Sequence, residues 1–239
     1  MNILSVQNLC KRYAGFHLQD VSFSLPRGSI MGFIGRNGAG KTTTLKAVMN
    51  MVQPDSGAVY LFEQNSSKQE RLLKQRIGYA GGAVDYYKRR KIATLLAVTK
   101  RFYPSWDDAL CQKYMRLFSL DENKTPAQLS EGMRVKLSLV LALSHGAELL
   151  ILDEPTSGLD PVSRQELLEI FRYLKAQGIS ILFSTHIISD IEHCADTITY
   201  IRQGRVVYTG ELTAFTQGEN LEQVMLHYES EALHEEFAL

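Results

Sequence analysis

Apolar residues gather in short runs, each closed by glycine or polar residues. Ile3 to Val6, Val21 to Leu25 and Ser29 to Ile34 read as strands, the last ending at Gly35. Leu149 to Leu152 and Ile179 to Phe183 are continuous apolar runs with polar ends, the pattern of parallel strands covered on both faces. Between them, Asp160-Pro161 supplies a helix cap and first turn, and Gly178 closes that helix after Gln177. A further helix begins at Gly40 or Lys41. The stretch from Asp85 to about Ser144 has helical spacing and few strand signals. Ile198 to Val207, turning at Gln203-Gly204, reads as a hairpin, and an acidic, helix-prone tail follows Gly210. With no internal repeat and no low-complexity segment, a single domain over 1–239 is expected. Its expected parts are a core (1–84 and 145–210), a helical lobe (85–144) and a C-terminal tail (211–239).

Composition narrows the class. The 239 residues are 45% hydrophobic, enough to bury a core, and 26 Lys plus Arg balance 26 Asp plus Glu. No global field therefore favours nucleic acid or an anionic membrane surface. Cys10, Cys111 and Cys194 are odd in number and lack metal-ligand spacing, which suits free thiols in a reducing compartment. No apolar stretch approaches the roughly 20 residues of a membrane-spanning helix, and the N-terminus has no secretory pattern, so a cytosolic chain is expected.

The chemistry begins at Gly35-Arg36-Asn37-Gly38-Ala39-Gly40-Lys41-Thr42, which fits GxxxxGK[ST] after a predicted strand and before a helix. The glycines let backbone N–H groups curl around an anion, and the helix N-terminus adds positive potential. Lys41 reaches the β- and γ-phosphates, Thr42 offers its hydroxyl to magnesium, and Thr43 adjoins it. A magnesium-side carboxylate is also needed, and the Leu149-Leu150-Ile151-Leu152-Asp153 run supplies one. Glu154 follows, placed to polarise the attacking water as general base. Alone, such an acidic pair reads as a helix cap or solvated turn. Beside the phosphate loop it reads as the hydrolytic half of an ATPase.

With these residues in hand, the chain resembles the nucleotide-binding subunits of ATP-binding cassette transporters over roughly residues 1 to 210. Leu129-Ser130-Glu131-Gly132-Met133 is similar to the family signature, and Ser157-Gly158-Leu159-Asp160 to the loop after the catalytic acid. Ser184-Thr185-His186 matches the segment of the switch histidine that touches the γ-phosphate, and Tyr13 matches the aromatic that stacks on adenine. The resemblance implies an α/β fold with a phosphate-loop NTPase core, a mainly parallel sheet, an N-terminal antiparallel β portion and an inserted helical lobe. It also implies head-to-tail pairing, in which Ser130, Gly132 and Asp160 of one subunit close over Mg-ATP held by Lys41 of the other. Without it, Ser130 and Asp160 read as helix caps, Tyr13 as an aromatic packed on the sheet, and His186 as a structural histidine. His17, His145, His193, His227 and His234 receive no role.

The chain also departs from the family pattern. After Ile77-Gly78-Tyr79-Ala80-Gly81, Gly82 stands where the family carries a magnesium-contacting glutamine. Either water or a side chain such as Asp85 substitutes, or hydrolysis is slow unless a partner completes the site. Glu131 and Met133 replace common signature residues and, with Phe102-Tyr103-Pro104-Ser105-Trp106, resemble cassettes of small drug and antimicrobial-peptide exporters. Lys88-Arg89-Arg90-Lys91 reads as a solvated surface or as a contact with a membrane subunit's helix or lipid headgroups. The leading expectation is an ATPase subunit driving a separate polytopic membrane subunit, as an exporter, from the inner face of the membrane. The alternatives are a soluble cassette acting on DNA or ribosomes and a catalytically impaired regulatory cassette. Near-neutral charge and the absence of a long coiled-coil insertion argue against the first.

Overall fold

The computed structural model describes residues 1–81 and 87–237, with side chains described as far as residue 230. Gly82 and Asp85 lie outside the described residues. The chain opens with a long antiparallel pair, β1 (Asn2–Tyr13) and β2 (Phe16–Pro26), then enters β3 (Ile30–Ile34) and α1 (Lys41–Val48). Next come β4 (Ser56–Leu61), β5 (Gln64–Asn65), α2 (Glu70–Lys74) and β6 (Ile77–Ala80). Helices follow: α3 (Ile92–Lys100), α4 (Asp108–Leu117), a 3-10 turn (Pro126–Gln128) and α5 (Glu131–Leu143). The chain then alternates through β7 (Leu149–Asp153), α6 (Pro161–Ala176), β8 (Ser180–Thr185) and α7 (Ile188–Cys194). It finishes with β9 (Thr197–Arg202), β10 (Arg205–Glu211), α8 (Leu212–Thr216) and α9 (Leu221–Phe237).

Two sheets result. A four-stranded antiparallel sheet has the order β2-β1-β4-β5, and a six-stranded sheet has the order β10-β9-β3-β8-β7-β6, parallel except for β10. The continuous apolar runs have a direct explanation, because alternate residues of the central strands enter different cores. Ile30 and Ile34, Leu150 and Leu152, and Ile181 and Phe183 join one cluster with α3 to α6. Met31 and Phe33, Leu149 and Ile151, and Leu182 join the other, with α1 and the antiparallel sheet. Both faces of the parallel sheet are therefore dry, which removes the alternation a half-solvated strand would show.

The expected strand Ile3 to Val6 is the start of a strand of 12 residues. The extension was hidden because register shifts between Val6 and Leu9 and between Leu9 and Lys11 break the two-residue alternation. Asn8 (φ 48°) and Asp20 (φ 50°) adopt left-handed backbone there. The short β4, β5 and α2 carried no signal in the apolar pattern. The turn at Gln203 (φ 47°) and Gly204 (φ 79°) has positive φ at both positions, the geometry that follows the twist of a hairpin. A Cβ on Gly204 would lie 1.9 Å from the His17 carbonyl oxygen, so only glycine lets this turn dock on β2. From there the Gly204 N–H donates to the Ala39 carbonyl at 3.0 Å and braces the loop after β3. Among the described residues, no helix is long and apolar enough to cross a membrane.

Candidate functional site: a phosphate loop facing two strand-end acids

The loop between β3 and α1 is shaped by its glycines. Gly38 (φ 82°) and Gly40 (φ 111°) take backbone that L side chains rarely adopt. A Cβ on Gly40 would also sit 2.6 Å from Leu18 Cδ2 and 2.8 Å from Phe16 Cζ. Lys41 follows at the first turn of α1, and its side chain is only 5% exposed. Its Nζ donates to the Gly35 carbonyl at 2.7 Å and the Arg36 carbonyl at 3.3 Å, and pairs with Glu154 Oε1 at 3.0 Å. The ammonium is thus folded back under the loop, beside the acid that follows β7.

Asp153 and Ser184 are register partners at the ends of β7 and β8. Asp153 Oδ1 accepts from Thr42 Oγ1 at 3.2 Å and from Ser184 Oγ at 2.6 Å. Ser184 Oγ also accepts from the Glu154 N–H at 2.9 Å, so one hydroxyl ties the two acids together. Glu154 itself sits at φ 50°. A non-glycine residue in this region carries strain of order 1 kcal/mol or more, which the surrounding contacts must hold. Its Oε2 meets His186 Nδ1 at 2.8 Å. The phenol of Tyr79, on neighbouring β6, is pushed upward in pKa by burial and by the negative charge of Asp153.

These groups border a cavity of about 590 Å³. Asn37, Gly38, Gly40, Lys41, Thr42, Thr43, Glu154 and His186, all expected from sequence, line it. Asp153 lies behind, reached through Thr42. Gly35 and Ala39 do not line the cavity: Gly35 is packed where a Cβ would be 2.3 Å from the Ile201 carbonyl oxygen, and Ala39 is buried in the core. Tyr13 is 44% exposed, with Lys11 Nζ 5.7 Å from its ring centroid, and is not part of the lining. Phe16, its register partner across the β1–β2 turn, lines the cavity instead, together with Gly15 and Ser157. Sequence reasoning overlooked Phe16, although it stands three residues after Tyr13 in the same turn. It also passed over the tie made by Ser184, because a serine two residues before a histidine has no distinguishing spacing.

Ser130, Gly132 and Asp160 gather elsewhere and none lines this cavity. Ser130 caps α5, its Oγ accepting from the Met133 N–H at 3.3 Å, and Asp160 caps α6 through the N–H groups of Val162 and Ser163. Hydrogen bonds from the Ser163 hydroxyl and backbone hold the Asp160 carboxylate below its ordinary pKa. The two caps are neighbours: a Cβ on Gly132 would meet Ser163 at 3.0 Å. The signature segment and the loop after Glu154 therefore form one surface within the chain.

This arrangement has clear relatives. Residues 18–157 match the family model described as "ABC transporter". The chain is 34% identical over 224 residues to "Lantibiotic transport ATP-binding protein SrtF" of Streptococcus pyogenes, covering 93% of this chain and 95% of that one. It is 32% identical to "Bacitracin transport ATP-binding protein BcrA" of Bacillus licheniformis, over 86% of this chain and 68% of that protein. A solved structure described as "Structure of ATP binding subunit of ABC transporter" superposes with a TM-score of 0.83 at 29% identity, covering 94% of this chain and 98% of that one. The loop, the paired strand-end acids and these likenesses lead to one conclusion: the chain belongs to the ABC transporter family, as an ATP-binding, ATP-hydrolysing subunit.

Proposed function

We propose that this chain hydrolyses Mg-ATP at the cavity between its phosphate loop and the ends of β7 and β8, and thereby powers a separate membrane subunit. The observation that carries the reading is Glu154, held between Lys41 and His186 by contacts of 3.0 and 2.8 Å. The backbone of Asn37, Gly38 and Gly40 receives the phosphates, and Lys41 exchanges Glu154 for the more highly charged γ-phosphate. Glu154 is then released to accept a proton from the attacking water, with His186 orienting its carboxylate and contacting the γ-phosphate. Phe16 and Tyr13, at one turn, supply aromatic surface for the adenine.

Thr42 and Asp153 fit magnesium, since both present hard oxygen donors and their oxygens lie 3.2 Å apart, Thr42 in the cavity lining and Asp153 behind it. An ion held by these residues would neutralise phosphate charge. Ser184 keeps Asp153 oriented while leaving its second oxygen available. Gly82 offers no side chain to such an ion.

The surface formed by Ser130, Gly132 and Asp160 is read as the complementary half of a site on a second cassette, so that ATP closes a head-to-tail dimer. Three features support a membrane partner at the inner face of the cell membrane: the lack of a spanning helix among the described residues, the family, and relatives named for transport. Those names are for lantibiotic transport and bacitracin transport, which favours export of a compound of that kind. Glu154→Gln tests the reading. The variant is expected to retain ATP affinity, lose ATPase activity by about 10²-fold or more, and accumulate as a dimer with ATP in light scattering. Hydrolysis at the wild-type rate would remove Glu154 from the proposed role.

A further inference from the structure

Behind the phosphate cavity lies a carboxylate that the hydrolytic scheme does not use. Asp190, in the first turn of α7, has no exposed surface. Its Oδ2 accepts from Thr156 Oγ1 at 2.6 Å and from Thr185 Oγ1 at 3.3 Å. Thr156 stands two residues after Glu154, and Thr185 immediately precedes His186. Thr185 Oγ1 in turn accepts from the Ile187 N–H at 3.0 Å, which shapes the backbone that presents His186. A third element joins them, because the positive charge of Arg164, four residues beyond Asp160 on α6, acts on Asp190. Among the described residues, Asp190 Oδ1 and Arg164 Nε are both buried without a hydrogen-bond partner.

An acid in the first turn of a helix ordinarily acts on the helix dipole, but that role needs no burial. Burying a carboxylate costs several kcal/mol unless partners offset it. Here the partners are side chains of the two loops that carry the reacting groups, and burial raises the Asp190 pKa despite them. The location explains why such a tie is useful. The parallel ladder between β7 and β8 ends at Asp153 and Ser184, so beyond that point no sheet hydrogen bonds set the distance between Glu154 and His186. Ser184 braces the first step past the ladder, and Asp190 braces the second.

We propose that Asp190 is a positioning residue for ATP hydrolysis: by gathering Thr156 and Thr185 on one buried oxygen, it holds the Glu154 loop and the His186 loop in register. The inference rests on the hydrolytic roles given above to Glu154 and His186. A displacement of these groups by about 1 Å is enough to lower a rate by 10²-fold.

Steady-state ATPase and equilibrium ATP binding of the purified 239-residue chain test it, with Asp190→Ala, Asp190→Asn and Thr156→Val. Asp190→Ala is expected to lower kcat by about tenfold or more while ATP affinity changes less than about twofold. Asp190→Asn keeps an acceptor for both hydroxyls and is expected to recover most of that loss. Thr156→Val preserves shape, removes one tie and is expected to lower kcat without weakening ATP binding, which keeps the test available if Asp190→Ala does not fold. In a Glu154→Gln background, Asp190→Ala should cause no further loss. Unchanged kcat in Asp190→Ala and Thr156→Val would overturn the inference, as would a parallel loss of ATP binding and activity in the alanine and asparagine variants. Glu154→Gln as a control separates the two levels. Inactivity there with no effect at Asp190 removes only this inference, whereas full activity there removes the hydrolytic reading beneath it.

Discussion

Gly40 shows how little freedom single residues have at this site. Its φ of 111° and the proximity of Leu18 and Phe16 both exclude a side chain. Gly40→Ala is therefore expected to weaken ATP binding by at least about tenfold and to destabilise the fold by about 1–3 kcal/mol, measurable by nucleotide titration and urea unfolding. His145 illustrates a different constraint. It is 2% exposed, its ring nitrogens have no hydrogen-bond partner among the described residues, and it lies against Tyr103 with ring centroids 3.9 Å apart. Burial lowers its pKa from 6.5 to about 4. The folded chain therefore keeps this ring neutral where the unfolded chain protonates it. Stability present above pH 6.5 is lost as pH falls toward 4, by up to about 3 kcal/mol. His145→Phe keeps the ring stacking and removes the titration, so urea midpoints at about pH 7.5 and about pH 5 should differ less in this variant than in the wild type.

Elements carry the next level of organisation. Helix α5 is buried over most of its circumference, and a Cβ on Gly78 of β6 would come within 2.4 Å of the Ala142 carbonyl oxygen. The close seat of α5 on β6 fixes where its N-terminus points, and Ser130 caps that end. Ser130→Ala is expected to cost about 1 kcal/mol of stability through the lost cap. On the proposed pairing it also weakens ATP-driven dimerisation, so light scattering in a Glu154→Gln background should lose the dimer while urea unfolding moves only slightly. A cap without a role in pairing would change the second measurement alone. Helical spacing signalled that 85–144 differs from the rest of the chain, and the described residues from 92 to 143 form helices and turns. By contrast, the bulges of β1 hid more than half of that strand from the alternation pattern.

At the scale of the molecule, the acidic tail is part of the fold. Leu221 and Met225 of α9 are buried, Phe215 and Tyr228 stack with centroids 5.5 Å apart, and the Tyr200 hydroxyl donates to Glu229. Glu229 also lies 3.7 Å from Arg36 of the phosphate loop, so α9 reaches the rim of the nucleotide site. Truncation after Asn220 should remove at least about 3 kcal/mol of apolar burial and lower the melting temperature by roughly 6–12 °C. An unchanged melting temperature would detach the tail from the core. The sequence by itself determined the phosphate loop, the strand ending in Asp153 with Glu154 after it, and the dry central strands. Each of these is a local demand: glycines for left-handed backbone, an N-terminal helix turn for an anion, unbroken apolar residues for strands buried on both faces. Tertiary structure alone decided that β8 lies between β3 and β7, which brings Lys41 to Glu154 and Glu154 to His186. It also chose Phe16 for the cavity lining and buried Asp190 beneath two loops, since contacts between residues distant in sequence follow from strand order and packing, which no local pattern encodes.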